Sequence, residues 1–270
     1  MIEERPVLSE IWVYPVKSLG GVRLESAQVQ ERGLQYDRRW LIVDENGKFI
    51  TQRTYPEMAL IDVAIGEDNL VLSHRIYETN AVTVPFSPDS SAELTVRIWK
   101  DMVSARTVSK AADSWLSGQL QKQVRIVELA GNAERKSPEI AGNARTLVSF
   151  ADDFPFLLTS ETSLDDLNSR LPEPVSMNRF RPNFVIAGAA TFEEDQWKSI
   201  QISGIGFDLI SPCERCVVVT IDQETGRKGL EPLRTLSKYR RQDRHIFFGQ
   251  NLISHNTGQI RVGDAVQIIS

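Results

Sequence analysis

The chain has 270 residues, 41% of them apolar, and its 31 basic side chains against 36 acidic ones leave a formal net charge of −5. That length supports one large domain or two modest ones with real cores, and the acidic balance excludes the overall positive field that draws nucleic acid or anionic lipid. There is no run of about 18 apolar residues to cross a bilayer, Met1 to Pro6 lacks the charge and apolar stretch of a targeting peptide, and two cysteines cannot build a disulfide framework, so the expectation is a cytoplasmic protein with free thiols and neither nucleic acid nor membrane as partner.

The first hundred residues predict strands. Arg39 to Val43 and Phe49 to Thr51 flank a turn whose Asn46-Gly47 pair supplies the positive φ of a tight hairpin. Leu60 to Ile65 and Leu70 to Leu72 repeat the pattern around Gly66 to Asn69, and Leu94 to Trp99 runs into a polar turn at Lys100-Asp101. Residues 5–108 are therefore expected to be antiparallel and curled into a barrel. From Ser109, apolar residues at Ala112, Trp115, Leu116 and Leu120 predict a helix, followed by a strand at Val124 to Leu129.

Residues 130–149 lapse into small and polar residues and read as a long loop or lid, whose Arg135, Lys136 and Arg145 could close over a site. Beyond it, Phe156 to Leu158 predicts a buried strand leading through Ser160 into a helix with Leu164, Leu167 and Leu171 on one face. Phe184 to Ala187, Ile200 to Ile202, Phe207 to Ile210, Val217 to Ile221 and Val266 to Ile269 predict strands, with a helix around Pro232 to Arg240. The fold class expected is mostly β with a few helices.

Five clusters could carry chemistry. Cys213-Glu214-Arg215-Cys216 is a C-x-x-C pair: half a zinc site, a redox dithiol, or two core thiols. A structural zinc wants about four ligands, and no further cysteine or paired histidine spacing exists. A thioredoxin-like motif lies between a strand and a helix, whereas Cys216 is expected to run straight into a strand. Arg215 between the thiols favours the thiolate, the metal-binding form. Lys17-Ser18-Leu19-Gly20-Gly21 offers a cation, a hydroxyl and glycine N–H groups to a phosphate, or is a plain turn. Asp37-Arg38-Arg39-Trp40 reads in isolation as a solvated strand edge. Arg179 and Arg181, with Asn183, fall on one side of an extended chain and suit an oxyanion, or blunt a sheet edge. Phe248-Gly249-Gln250-Asn251 is a bulge that either aims amides at a ligand or does not.

In this order the clusters resemble the MOSC family, the molybdenum-cofactor sulfurase C-terminal type of domain, preceded by its N-terminal β-barrel partner. The likeness rests on Ile11 to Ser18 and Asp37 to Leu41 in the first part. In the second it rests on Asn178 to Asn183, Cys213 to Cys216 and Gly258 to Asp264. It implies an N-terminal β-barrel-like domain over 1–125 and a β-barrel-like MOSC domain over 126–270. It further implies a molybdenum-pterin cofactor with Cys216 as metal ligand and catalytic residue. Lys17, Ser18, Arg38, Arg181 and Asn183 would hold its phosphate and pterin, with Asp152, Asp153, Glu214, Arg215 and Asn251 at further cofactor-facing positions. The activity implied is reduction of small N-hydroxylated compounds, hydroxylamines and amidoximes, with the cofactor carrying the hard chemistry. No cysteines remain for an iron–sulfur cluster, so the electrons are expected from a separate ferredoxin- or flavoprotein-like protein. The alternative is a cofactor or sulfur carrier without reductase activity; a third reading is a β-rich domain without metal.

Overall fold

The structure, a computed structural model, describes residues 5–77, 81–87, 92–140 and 145–269. It is built mostly of strands, with three α-helices among the described residues. Residues 141–144, including Gly142 of the predicted loop, and the acidic start at 1–4 lie outside the described residues.

The largest sheet has nine strands and is antiparallel apart from one parallel pair, Phe156–Ser160 with Phe184–Ala187. Its centre alternates Phe156, Phe184 and Phe207 towards one core, with ring centroids 5.3–5.5 Å apart. The first strand of the chain, Val7–Val13, completes this sheet by pairing antiparallel with Phe184–Ala187. Gly258–Arg261, near the other end of the chain, pairs in turn with Ser26–Gln30. The two halves of the sequence are thus interleaved along one line of contact, which is where a cavity can draw residues from both.

In the first half, Trp40–Asp44 pairs with Val124–Leu129 in a four-stranded sheet. Trp40 and Ile42 face one core, and Leu41 and Val43 the other, so the strand is covered on both sides. The turn after it has Gly47 at φ +72°, and Asp44 Oδ1 accepts the N–H groups of Asn46 and Lys48. The predicted return arm at Phe49 to Thr51 shrinks to a single bridge, Val43 to Phe49, and the start of the same strand edge is taken by Val16, which bridges Trp40. Ile61–Ile65 and Asn69–His74 form the second hairpin. The helix Lys110–Gln119 starts at Ser109, whose hydroxyl accepts the Ala112 N–H. Ser160 caps Glu161–Ser169 in the same way.

Three expectations for the second half are corrected. Val217 to Thr220 is a 3-10 helix and not a strand. Its β-branched run favours a strand locally, but only Val219 and Thr220 are buried, Val217 is 50% exposed, and the chain has to turn to seat Val219 against Phe180, Leu236 and Phe248. The predicted helix at Pro232 to Arg240 is helical only over Leu233–Leu236 and continues as turns. Arg179 and Arg181 do not share a face. Met177–Arg179 is a 3-10 turn and Arg181 adopts φ +54°, which removes the alternation of an extended chain. Arg179 pairs at 2.7 Å with Asp222, away from Arg181.

The bulge at Gly249 exists: three steps from Gln250 to Phe247 face two steps from Pro212 to Glu214. Gly249 sits at φ +81°, and a Cβ there would lie 2.6 Å from the Leu158 carbonyl oxygen and 2.8 Å from Thr159 Cγ2. Gly249→Ala combines left-handed strain with a backbone clash, so we expect it to lower stability by roughly 2–4 kcal/mol in urea unfolding. An unchanged midpoint would show that the strand can slip its register.

Candidate functional site

A cavity of about 440 Å³ opens along the line where the halves meet. All eleven site residues expected from the sequence lie in its wall: Lys17, Ser18, Arg38, Asp152, Asp153, Arg181, Asn183, Glu214, Arg215, Cys216 and Asn251. The wall also holds residues the sequence reading missed, chiefly Arg53 and Trp99.

Lys17 is 6% exposed and donates to the Phe150 carbonyl at 2.8 Å and to Asp152 at 2.7 Å. Burial lowers the Lys17 ammonium from its ordinary value, against the pull of Asp152. Enclosure favours protonated Asp152, but the Lys17 ammonium outweighs it and holds that carboxyl well below the usual range. Burial, and after it the neighbouring Asp152, push the Asp153 carboxyl up.

The glycines after Ser18 do not form a phosphate cradle. The Gly20 N–H is taken by the Ile61 carbonyl, and a Cβ on Gly21 would lie 2.5 Å from the Tyr14 ring. They let the turn pass that ring, while buried Gln52 donates to the Ser18 carbonyl at 2.9 Å and holds Ser18 at the cavity edge.

Asp37-Arg38 is likewise no solvated edge. Asp37 is 2% exposed, accepts the Tyr14 N–H at 2.8 Å, and pairs with Arg38 at 2.6 Å. The guanidiniums of Arg38 and Arg181 stack on the Tyr14 ring, 4.4 and 4.1 Å from its centroid. Burial brings the Arg181 guanidinium down to about 10.

Asn183, fully buried, ties the halves together. Its Oδ1 accepts from the Leu157 N–H at 3.2 Å and from Arg38 at 3.3 Å, and its Nδ2 donates to the Trp12 carbonyl at 3.1 Å. Asn183→Leu would leave the buried Leu157 N–H unpaired and take one bond each from Arg38 and the Trp12 carbonyl, so we expect a loss of about 1–3 kcal/mol by chemical denaturation. A loss below 1 kcal/mol would mean that water replaces all three bonds.

At the thiols two guanidiniums take part, each on a different sulfur. Arg215 Nη1 donates to Cys213 Sγ at 3.0 Å, and its Nη2 to the Phe180 carbonyl at 2.6 Å. Burial pushes the Cys213 thiol up, against that guanidinium. The guanidinium on Cys216 is that of Arg53, with Nη2 to Sγ 3.2 Å. The cause is the turn at Val217 to Thr220: the strand ends at Glu214, and Cys216 is carried sideways towards residues 51–53. Arg53 stacks on Trp99 at 4.4 Å, and Trp99 Nε1 donates to Asp152 at 3.0 Å. Nothing in the spacing of Gln52-Arg53 signals this; only the turn at Trp99, with φ +52°, places an indole over it.

Elsewhere in the wall, Asn251 donates to Ser211 at 3.3 Å and Glu214 pairs with His245 at 2.8 Å. Gln250, its neighbour on the bulge, turns away to Asp195. The predicted lid cations do not enter the cavity: Arg145 donates to the Ser137 carbonyl at 2.7 Å, and Arg135 is buried against the backbone of 149–152. Five cationic side chains, Lys17, Arg38, Arg53, Arg181 and Arg215, thus face three carboxylates, Asp152, Asp153 and Glu214, around a half-buried pair of thiols.

Residues 5–123 match the MOSC N-terminal beta barrel domain, and residues 145–267 match the MOSC domain. Mitochondrial amidoxime-reducing component 1 of Mus musculus is 34% identical over 288 residues, covering 99% of this chain and 84% of that protein. The Homo sapiens protein of the same name is 32% identical, covering 100% of this chain and 85% of its own. Among solved structures, the YUAD protein from Bacillus subtilis is similar with a TM-score of 0.43 and 9% identity, over 97% of this chain and 93% of that one. With both domains matched and these relatives aligned along nearly the whole of it, the chain belongs to the MOSC family, its N-terminal β-barrel domain preceding the MOSC domain.

Proposed function

We propose that this protein is a molybdenum-pterin-dependent reductase of small N-hydroxylated compounds, hydroxylamines and amidoximes, fed by a separate electron-transfer protein of ferredoxin or flavoprotein type. The observation that carries the reading is the donor set of the cavity: two soft sulfurs, Cys213 and Cys216, within a wall of five cations. The names of the relatives, amidoxime-reducing components, supply the substrate class and the word component.

The residues fit the cofactor. Among the described residues no group of three or more His, Cys, Asp or Glu could hold a metal alone, so a metal on Cys216 would take its other ligands from a bound organic group. The excess of cations suits a phosphate-bearing dianionic ligand. Arg215 Nε is buried without a partner, a donor left for such a ligand. Cys216 would hold the metal, Lys17, Ser18, Arg38, Arg181 and Asn183 the phosphate and pterin, and Asp152, Asp153, Glu214, Arg215 and Asn251 the remaining wall. Bound there, the molybdenum centre would supply the two electrons that break the N–O bond, which no side chain offers.

The protein's own part is position, charge and protons. Arg53 holds the Cys216 sulfur by a hydrogen bond, and Trp99 holds Arg53 by stacking. Tyr14 spaces the two guanidiniums that it separates. Reducing a hydroxylamine to an amine and water consumes two electrons and two protons. Asp153, with its carboxyl pushed up, is the wall group suited to hold one of those protons.

The test is molybdenum content and oxidised-pterin fluorescence of protein from a cofactor-producing host, followed by benzamidoxime turnover with a reduced viologen dye. Metal and pterin near one per chain, with turnover by the dye and none by a nicotinamide alone, is the expected result. Metal and pterin without turnover would establish a carrier instead, and neither metal nor pterin would remove the cofactor reading altogether.

A further inference from the structure

A second cleft, of about 260 Å³, opens at the start of the strand Trp40–Asp44. Arg32, Tyr36, Arg39, Trp40, Phe86 and Glu128 line it, with the backbone of 129–131. None of these residues belongs to the wall of the larger cavity.

One wall is aromatic. Phe86 stacks between Tyr36 and Trp40, with centroid distances of 5.1 and 5.6 Å and interplanar angles of 23° and 29°. Trp40 is buried beneath them, so the half-buried Tyr36 and Phe86 are the rings that offer a flat apolar group a surface.

The polar atoms of the cleft point to one sign of charge. Trp40 is 4% exposed, and its indole Nε1 is buried with no hydrogen-bond partner. Arg32 Nη1 is buried and unpartnered as well. An indole N–H and a guanidinium can only donate, so both require an acceptor that the chain does not provide. A buried donor left unpaired is costly, and such groups in native proteins are normally satisfied by a ligand or water. Arg39 adds a second guanidinium, with one nitrogen committed to Gln30 Oε1 at 2.8 Å. The one carboxylate in the wall, Glu128, is already paired with Arg106 at 2.8 Å.

We infer that this cleft is a second binding site, for a small aromatic carboxylate. Its ring would pack against the half-buried Tyr36 and Phe86, and its carboxylate would accept from Trp40 Nε1 and the Arg32 guanidinium. A planar guanidinium matches a carboxylate in a fork, and the rings account for the part of the cleft that an inorganic anion would leave uncovered. The site does not depend on the cofactor reading, because the residues of the two pockets are disjoint.

Isothermal titration of the full chain with 2-naphthoate, its neutral isostere 2-naphthamide and inorganic phosphate tests this. The naphthoate is expected to bind at least about tenfold more tightly than the amide, the worth of one charge-assisted hydrogen bond. Arg32→Gln and Trp40→Phe should each weaken it about tenfold with the thermal midpoint retained, and Arg53→Gln in the larger cavity should leave it unchanged. The Trp40 indole proton signal, identified by its disappearance in Trp40→Phe, should move downfield on naphthoate addition. Even if Trp40→Phe fails to fold, Arg32→Gln decides. Absence of binding, equal affinity for the amide, equal affinity for phosphate in competition, or weakening by Arg53→Gln alone would each overturn the proposal.

Discussion

Cys216→Ser is expected to lose its molybdenum and its turnover by at least about 100-fold, while Cys213→Ser keeps both. The loss of a partner that merely orients a metal ligand costs about 10–100-fold, and loss of the ligand itself should cost no less. A serine at 216 could still accept the Arg53 hydrogen bond that the sulfur takes at 3.2 Å, so the fold around it should persist. What changes is the donor: a hydroxyl is hard and stays protonated at neutral pH, where a thiolate is soft and anionic. Cys213 offers the matched control, since its sulfur is occupied by Arg215 at 3.0 Å and a serine oxygen can accept the same bond. Pterin should be partly retained in Cys216→Ser, because Lys17, Arg38 and Arg181 are untouched. Metal lost from Cys213→Ser and kept in Cys216→Ser would reverse the assignment.

The largest effect on stability is expected at Arg135, a residue the sequence presents only as one cation in a loop. Its side chain is 4% exposed and donates to the carbonyls of Ser149, Ala151 and Asp152, and it pairs with Asp101 at 3.1 Å. Arg135→Met keeps much of the volume and removes every one of these donors. Three backbone carbonyls and a carboxylate then lose a charged partner inside the fold, for which about 3–5 kcal/mol is the expected cost in denaturant unfolding. The same segment carries Asp152, the partner of Lys17, so cofactor content should fall together with stability. Full cofactor loading in a destabilised Arg135→Met protein would show that the segment is positioned by other contacts.

Much of the architecture is legible locally. Alternating β-branched residues define most strands, Ser109 and Ser160 mark the helix starts, and Asn46-Gly47 and Gly249 mark a turn and a bulge where the structure has them. Short-range signals failed where packing outweighed propensity. Val217 to Thr220 has the residues of a strand and forms a 3-10 turn, because Val219 reaches the Phe180 and Phe248 cluster only if the chain bends. Arg179 and Arg181 read as one side of an extended segment, and a left-handed residue at 181 separates them.

The site divides along the same line. By itself the sequence determined the chemical inventory, two thiols, a set of cations and an Asp pair, together with the resemblance that gathers eleven of those residues. Only the tertiary structure decided which groups touch. It set Arg53 and not Arg215 on Cys216, buried Asp37 beneath Arg38, and turned Arg135 from a lid cation into a clamp on the backbone. The physical reason is that side-chain identity and local backbone preference are properties of a few neighbouring residues. The partner of a charge, by contrast, depends on which distant strands pair, and here Val7–Val13 pairs with Phe184–Ala187 and brings the two halves of the chain face to face.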